Sequence, residues 1–406
     1  MSNPAVLLAN EAGGGRGHVT LLAGVAAALG RELTVCAAIP SLRHAGELSS
    51  ANVARGPFLR YSTEASRDRT LAGNATWGDY LAACGLASTE IVRAHLRWWR
   101  RKIIETDAAV LVADYAPLAL WAARGLKAEG WEIEVLSVGT GYGLPPSRLK
   151  LFPQLLPDYD RRTTTEADTL AVLNAVAVEE GLPSLPTLPA VAQADHELAF
   201  TLAYLDPYSA ERDITESFVP VLTPLPKIAD GTGTELFVYF SRRELDDPDL
   251  VDAIADLDIP RRGYFPGAPD DIVDRLRKSG MIVETTALTA TDIAARSRLV
   301  LGAGQHGLQC LAALAGLPQV AVPQHLEQLF HCRRSSERGI LRYARFDRRS
   351  RDEILALILD AWSDRTLAAT AQTSAHDLRS KYPDDPGAAL ASRLAPVVER
   401  ARQAYR

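Results

Sequence analysis

Residues 301–328, LGAGQHGLQCLAALAGLPQVAVPQHLEQ, restrict the fold of this chain more than any other stretch. Arg298 to Leu301 is a β-prone, largely apolar run. Gly302, Gly304 and Gly307 then surround Gln305 and His306. Leu308, Leu311, Ala312, Leu314 and Ala315 recur at helical spacing, and Gly316 and Pro318 stop that helix before Val320-Ala-Val322 starts a second strand. Strand, glycine turn, helix and strand make a unit of parallel sheet. A glycine turn that opens a helix aims backbone N–H groups at one spot, with the positive end of the helix dipole behind them. Such a spot suits a phosphate. The polar loop read after the second strand presents Glu327 and Gln328, which suit sugar hydroxyls.

The same opening occurs at the start of the chain. Ala5 to Ala9 is an apolar strand, followed by the turn Gly13-Gly-Gly-Arg-Gly17 and His18. Leu21, Leu22, Val25, Ala26 and Leu29 mark a helix face, and Leu33 to Ile39 reads as the next strand. A second half begins with the buried strand Glu235–Phe240 and continues through Gly263–Phe265, a helix near Asp270–Lys278 and the strand Met281–Glu284. Alternating strands and helices predict parallel sheets wound on both faces. The chain is thus read as α/β, with two Rossmann-like domains: 1–217, a proline- and glycine-bearing linker 218–234, 235–387, and a terminal helix 388–406.

With 406 residues there is room for two ordinary domains, and 47% hydrophobic with 23% charged residues is globular composition. A formal charge of −6 argues against a nucleic-acid binder that works through a basic surface. No run of about 18 uncharged apolar residues offers a membrane span, and MSNPAVLLANEAGGG lacks the basic start of a secretory signal. The four cysteines are scattered without a CxxC pair, which reads as reduced thiols in a cytoplasmic protein.

Three motifs in this order resemble those of GT-B glycosyltransferases, namely glycosyltransferase family 1 and the peptidoglycan N-acetylglucosaminyltransferase that makes lipid II. They are Gly13-Gly-Gly-Arg-Gly-His-Val19, Gly304-Gln-His-Gly307 with Gly316-Leu-Pro318, and Pro323-x-x-x-Glu327-Gln328. The resemblance implies two domains facing across a cleft, with acceptor bound by the first and nucleotide sugar by the second. It also implies a terminal helix crossing back to the N-terminal domain. The sequence departs from the family at Ala303, where the first His of the donor motif usually stands. Leu308 takes the place of a phosphate-contacting Ser or Thr, and Leu311 that of a ribose-holding Glu. Without that Glu, dTDP is favoured slightly over UDP.

Glycosyl transfer requires a base for the acceptor proton, stabilisation of the leaving diphosphate and a held sugar. His18, ending a glycine turn at the C-terminal edge of the first strand, is the candidate base. Asp114 ends the run Ala109–Ala113. It either orients His18, as the resemblance implies, or caps the helix that follows. Ser241, Arg242, Gly304, Gln305, His306 and Gly307 are the candidate phosphate contacts; Glu327 and Gln328 are those for the donor sugar. Gly17, Thr140 and Tyr142 are read as walls of the acceptor pocket. Asp158-Tyr-Asp160 has the spacing of a metal-binding D-x-D but no strand before it, so no metal and no cofactor beyond the nucleotide sugar are expected. Trp98-Trp99-Arg-Arg-Lys102 suggests weak contact with a membrane surface. Against this, Cys84, Ile91, His95, Trp99 and Ile103 share a helical face, which places Trp99 in the core.

The expected function is therefore an inverting, metal-independent transfer of a sugar from a dTDP- or UDP-sugar to a hydroxyl or amine of a small-molecule, natural-product or lipid acceptor. Two alternatives share the fold: a UDP-sugar 2-epimerase, and a nucleotide-sugar-binding protein without catalysis.

Overall fold

The computed structural model describes residues 3–13, 15–48, 52–60, 76–156, 158, 165–212, 217–218, 225–345 and 349–405. Residues 219–224 of the linker read at 218–234, and Tyr159 and Asp160 of the D-x-D motif, lie outside the described residues. The chain forms two compact units, Met1–Val221 with Pro386–Arg406, and Leu222–Asp385.

The first unit holds strands β1 (Ala5–Asn10), β2 (Thr34–Ile39), β3 (Asn52–Arg55), β4 (Ala108–Asp114), β5 (Glu134–Gly139), β6 (His196–Phe200) and β7 (Ser217–Phe218). They form one sheet in the order β3-β2-β1-β4-β5-β6-β7, parallel at every pairing. β1 and β4 are buried along their whole length. That is why they read as continuous apolar runs rather than alternating ones. Their side chains divide between two cores. Val6 and Leu8 face Val19, Leu22 and Val25 of the helix Arg16–Leu29 and Leu390, Leu394 and Val397 of the helix Pro386–Ala404. Leu7 and Ala9 face the helices Thr89–Thr106, Pro117–Ala128 and Glu166–Glu180 through Trp99, Leu120, Trp121 and Leu173.

The terminal helix therefore belongs to the first unit. Beyond its apolar stripe, Arg400 bonds Glu134 at 2.7 Å, Arg402 pairs with Glu32 at 2.7 Å, and the Tyr405 hydroxyl donates to Asp107 at 2.5 Å.

On the helix Thr89–Thr106 the buried face is Val92, Leu96, Trp99 and Ile103, while Ile91 is 39% exposed. The expected stripe is one residue off at Ile91 and His95, where Val92 and Leu96 are buried instead, and Cys84 lies in the separate π-helix Ala82–Leu86. Trp99 is fully buried, with Trp98 edge-on against it at 4.9 Å. Arg97 and Arg100 pair with Glu180 and Glu129. Among the described residues no helix is long and apolar enough to cross a membrane. The four cysteines are unbridged thiols.

The second unit repeats the plan. Strands β8 (Glu235–Tyr239), β9 (Arg261–Tyr264), β10 (Ile282–Glu284), β11 (Ser297–Gly302), β12 (Gln319–Ala321) and β13 (Leu341–Tyr343) form a parallel sheet in the order β10-β9-β8-β11-β12-β13. One face is covered through Leu250, Ile254, Leu276, Ile354 and Ile358, the other through Ile293, Leu311, Ala312 and Leu317. In both sheets the strand order reverses beside the first strand, between β1 and β4 and between β8 and β11. In open α/β sheets ligands bind outside the carboxyl ends of the strands at that reversal.

Candidate functional site

In the first unit, Asn10 and Asp114 end β1 and β4 side by side at the reversal. His18 enters from the first turn of the helix Arg16–Leu29. Its Nδ1 lies 2.7 Å from Asp114 Oδ2, with the His18 side chain 26% and the Asp114 side chain 1% exposed. A carboxylate accepts only, so Nδ1 carries the hydrogen and Nε2 is the basic nitrogen of the neutral ring. Gly13, at φ +95°, makes room for that nitrogen: a Cβ there would stand 2.3 Å from Nε2.

Asp114 does not cap the following helix. That work falls to Glu11, a residue the sequence reading passed over. Glu11 is fully buried, and its Oε2 accepts the Leu118 N–H at 2.8 Å while Oε1 accepts from Trp99 Nε1 at 2.5 Å. Because Glu11 meets the helix start, the Asp114 carboxylate is left to the imidazole. Asn10 Nδ2 donates to the Asp114 carbonyl at 2.9 Å and ties the two strand ends together.

Beyond Asp114 the chain turns through Tyr115, at φ +50°. A bulky residue in that region is strained. Its carbonyl accepts the N–H groups of Glu11 (3.2 Å) and Ala12 (3.1 Å). The Tyr115 ring sits edge-on to His18 at 5.0 Å and to Trp77 at 5.1 Å. Gly143 admits it, since a Cβ there would meet Cε2 at 1.9 Å. Trp77, stacked on Tyr80 at 4.7 Å, lines an apolar cavity together with Leu81, Tyr115, Leu144 and Phe152.

Of the three predicted pocket walls, Tyr142 approaches this group, with its ring 6.4 Å from that of Trp77. Thr140 accepts the Gly143 N–H at 3.1 Å and shapes the turn without lining the cavity. Gly17 lies in the first helical turn, exposed, and does not line it either. The 139–145 loop is fixed from below by a buried pair. Arg212 Nε donates to Asp206 Oδ2 at 2.8 Å, and the guanidinium also reaches the Leu144 carbonyl. Burial pushes the Asp206 carboxyl above its ordinary range, against the pull of Arg212.

In the second unit β11 ends at Gly302 and the helix His306–Ala315 begins at once. Gln305 is its N-cap but makes no side-chain cap bond to the first turn. An α-helix leaves its first-turn N–H groups without intrahelical carbonyls. Gly304 has φ +86°, and a Cβ there would lie 2.5 Å from Cys332 Sγ. His306 Nε2 lies 3.6 Å from Cys310 Sγ, and its ring is 5.2 Å from that of His331. Burial pushes the His306 pKa down to about 4, so its ring is neutral at pH 7. Ser241 and Arg242 stand in the turn after β8, Arg242 exposed. Gly307 is exposed with open space about its Cα.

Glu327 and Gln328 lie in the first turn of the helix Leu326–Glu337, not in the loop the sequence reading assigned. Glu327 is half-buried. The Gln328 side chain is turned inward: Nε2 donates to Glu244 Oε1 at 3.0 Å and Oε1 accepts the Gln324 N–H at 2.8 Å. Both ends of the amide are engaged within the protein. The departures at Ala303, Leu308 and Leu311 have a packing explanation. Ala303 is fully buried against the β8–β11 core, and Leu311 and Leu308 join the cluster of Phe237, Ile293 and Val300.

No family model and no curated protein matches the sequence. Solved structures do. CalG4, the calicheamicin glycosyltransferase, matches with a TM-score of 0.68 at 18% identity, over 99% of this chain and 99% of that one. The spinosyn rhamnosyltransferase SpnG matches at 0.65 and 18%, over 98% of this chain and 99% of that one. The glycosyltransferase VinC, solved in complex with dTDP, matches at 0.61 and 15%, over 98% of this chain and 100% of that one. Full-length matches of this kind, joined to two parallel sheets with the same strand order, show that the chain has the GT-B fold.

Proposed function

We propose that the chain is a glycosyltransferase that moves a sugar from a nucleotide-diphosphate sugar to a hydroxyl or amine of an apolar small molecule, with inversion and without a metal. The observation that carries this reading is the His18–Asp114 pair at the β1/β4 reversal, beside an aromatic-walled cavity. His18 Nε2 takes the acceptor proton as the acceptor oxygen or nitrogen attacks the anomeric carbon. The bond from that carbon to the diphosphate oxygen breaks. Asp114 stabilises the imidazolium that forms. The first turn of the helix His306–Ala315 and the neutral His306 ring meet the charge that develops on the diphosphate. Glu327 is the remaining candidate for sugar hydroxyls. The resemblance to the lipid II enzyme rests on motifs alone.

The nucleotide is proposed to be a dTDP-sugar. With Leu311 in an apolar cluster, nothing at that position can hold a ribose 2′-hydroxyl. VinC and SpnG have been solved with dTDP or thymidine diphosphate bound. A thermal-shift series with dTDP, UDP and GDP tests this, since a ligand that binds only the folded state raises the midpoint with its affinity. The expected order has dTDP first. A shift with GDP alone, or with none of the three, removes the proposal. Incubating a dTDP- or UDP-sugar with the protein and following it by NMR separates the alternatives. An epimerase consumes its donor without an acceptor, and a binding protein consumes it under no condition.

Asp114→Asn is expected to lower kcat by about 10²- to 10⁴-fold while leaving donor affinity unchanged. An amide donor facing Nδ1 favours the tautomer with its proton on Nε2, which disables the base. Unchanged turnover, compared with the parent under saturating donor and acceptor, would take Asp114 out of the chemistry.

A further inference from the structure

Glu244 follows β8 by a few residues and is 6% exposed. It was not among the residues singled out from sequence, yet three chain segments converge on its carboxylate. Oε2 accepts the Ser241 backbone N–H at 2.5 Å, and Oε1 accepts from Gln305 Nε2 at 2.9 Å and Gln328 Nε2 at 3.0 Å. The orientation of both amides is set by the backbone. Gln305 Oε1 takes the Ala303 N–H at 2.9 Å, and Gln328 Oε1 takes the Gln324 N–H at 2.8 Å. Each NH₂ group is thereby turned to Glu244, which faces donors on every bonded side. A carboxylate, with acceptor sites only, satisfies all three. Burial pushes the Glu244 carboxyl above its ordinary range while these hydrogen bonds pull it back.

We propose that Glu244 is a positioning residue of the nucleotide-sugar site. It ties the turn after β8, the N-cap of the helix His306–Ala315 and the first turn of the helix Leu326–Glu337 into one rim. Gln305 and Gln328 are held inward, so the donor meets the first-turn N–H groups, His306 and Glu327 instead. This role rests on the reading of the second unit as the donor site. Glutamine at 244 has the right shape and the wrong chemistry. Its own NH₂ must face a donor: either the Ser241 N–H, which then loses its acceptor, or the two amides, in which case Gln305 or Gln328 has to flip and abandon Ala303 or Gln324. The rim then opens without any loss of volume. Aspartate keeps the charge, but its shorter stem cannot span Ser241 and both amides.

The test uses the full chain with Glu244→Gln and Glu244→Asp. Hydrogen exchange by mass spectrometry reads the Ser241, Ala303 and Gln324 amides, and calorimetry reads dTDP and UDP. In Glu244→Gln at least one of the three amides, the one whose acceptor is lost, is expected to exchange at least about tenfold faster, with β4 unchanged. Nucleotide affinity is expected to fall at least about tenfold, and Glu244→Asp should fall between this variant and the parent. Exchange within about twofold of the parent would show that Glu244 does not hold the rim. Faster exchange with unchanged nucleotide affinity would make the network structural only, and overturn the positioning role. A parent chain that binds neither dTDP nor UDP would overturn the donor assignment itself, a result distinct from either.

Discussion

His18→Asn is expected to fold as the parent does and to lose sugar transfer by about a thousandfold. The asparagine amide can replace Nδ1–H as the donor to Asp114 Oδ2, which sits 2.7 Å away in the parent. The carboxylate, 1% exposed, therefore keeps a partner. What the variant lacks is a basic nitrogen where Nε2 stood. The comparison matters because His18→Ala removes both functions together, and a buried carboxylate left without its donor costs about 1–3 kcal/mol of stability. Loss of turnover in the alanine variant alone would thus be ambiguous. The decisive measurement is kcat for the asparagine variant beside its melting curve and its affinity for dTDP. Transfer within threefold of the parent would remove His18 as the base, and with it the proposed mechanism.

Gly304→Ala is expected to damage the second unit in two ways. The position has φ +86°, where a side chain costs about 1–2 kcal/mol. Its Cβ would also stand 2.5 Å from Cys332 Sγ and 3.1 Å from the Gln328 carbonyl. Forcing a methyl group into such a packed place adds about 1–3 kcal/mol. The sum corresponds to a fall of roughly 5–15 °C in the melting midpoint of that unit. Because the turn aims the first-turn N–H groups, affinity for a nucleoside diphosphate should fall at least about tenfold. Gly307→Ala is the internal comparison: it meets nothing within 4 Å and lies in a helix, so its stability should hold or rise slightly. Equal melting of the Gly304 and Gly307 variants would contradict this account of the turn.

The scaffold was legible because parallel sheets covered on both faces write themselves as unbroken apolar runs. β1, β4, β8 and β11 were each read to within a residue or two of their observed ends, and the helix Asp270–Lys278 was read with its full bounds. Asp114 follows such a run directly and His18 ends the glycine turn after another, but their pairing is one of two readings, the one that the resemblance implies. The charged supports were not legible. Glu11 and Glu244 look like ordinary surface acids in the sequence. What buries them is Trp99, 88 residues away, in one case and Gln328, 84 residues away, in the other. Gln328 was misassigned for the same reason. Its distance from Pro323 places it at the rim, but whether its amide faces a ligand or the protein depends on Glu244. Nor does an isolated tyrosine announce a positive φ. Tyr115 adopts one where its carbonyl accepts from Glu11 and Ala12 and its ring packs against Gly143, contacts that long-range packing sets.

The helix Pro386–Ala404 closes the core against the helix that carries His18. On the ribosome this imposes an order. Nearly the whole second unit is synthesised while Val19, Leu22 and Val25 still lack their cover from Leu390, Leu394 and Val397. The half of the protein that is translated first is thus the half that finishes folding last. A stalled or prematurely ended chain would show its deficit at the His18 helix, far from the break in sequence.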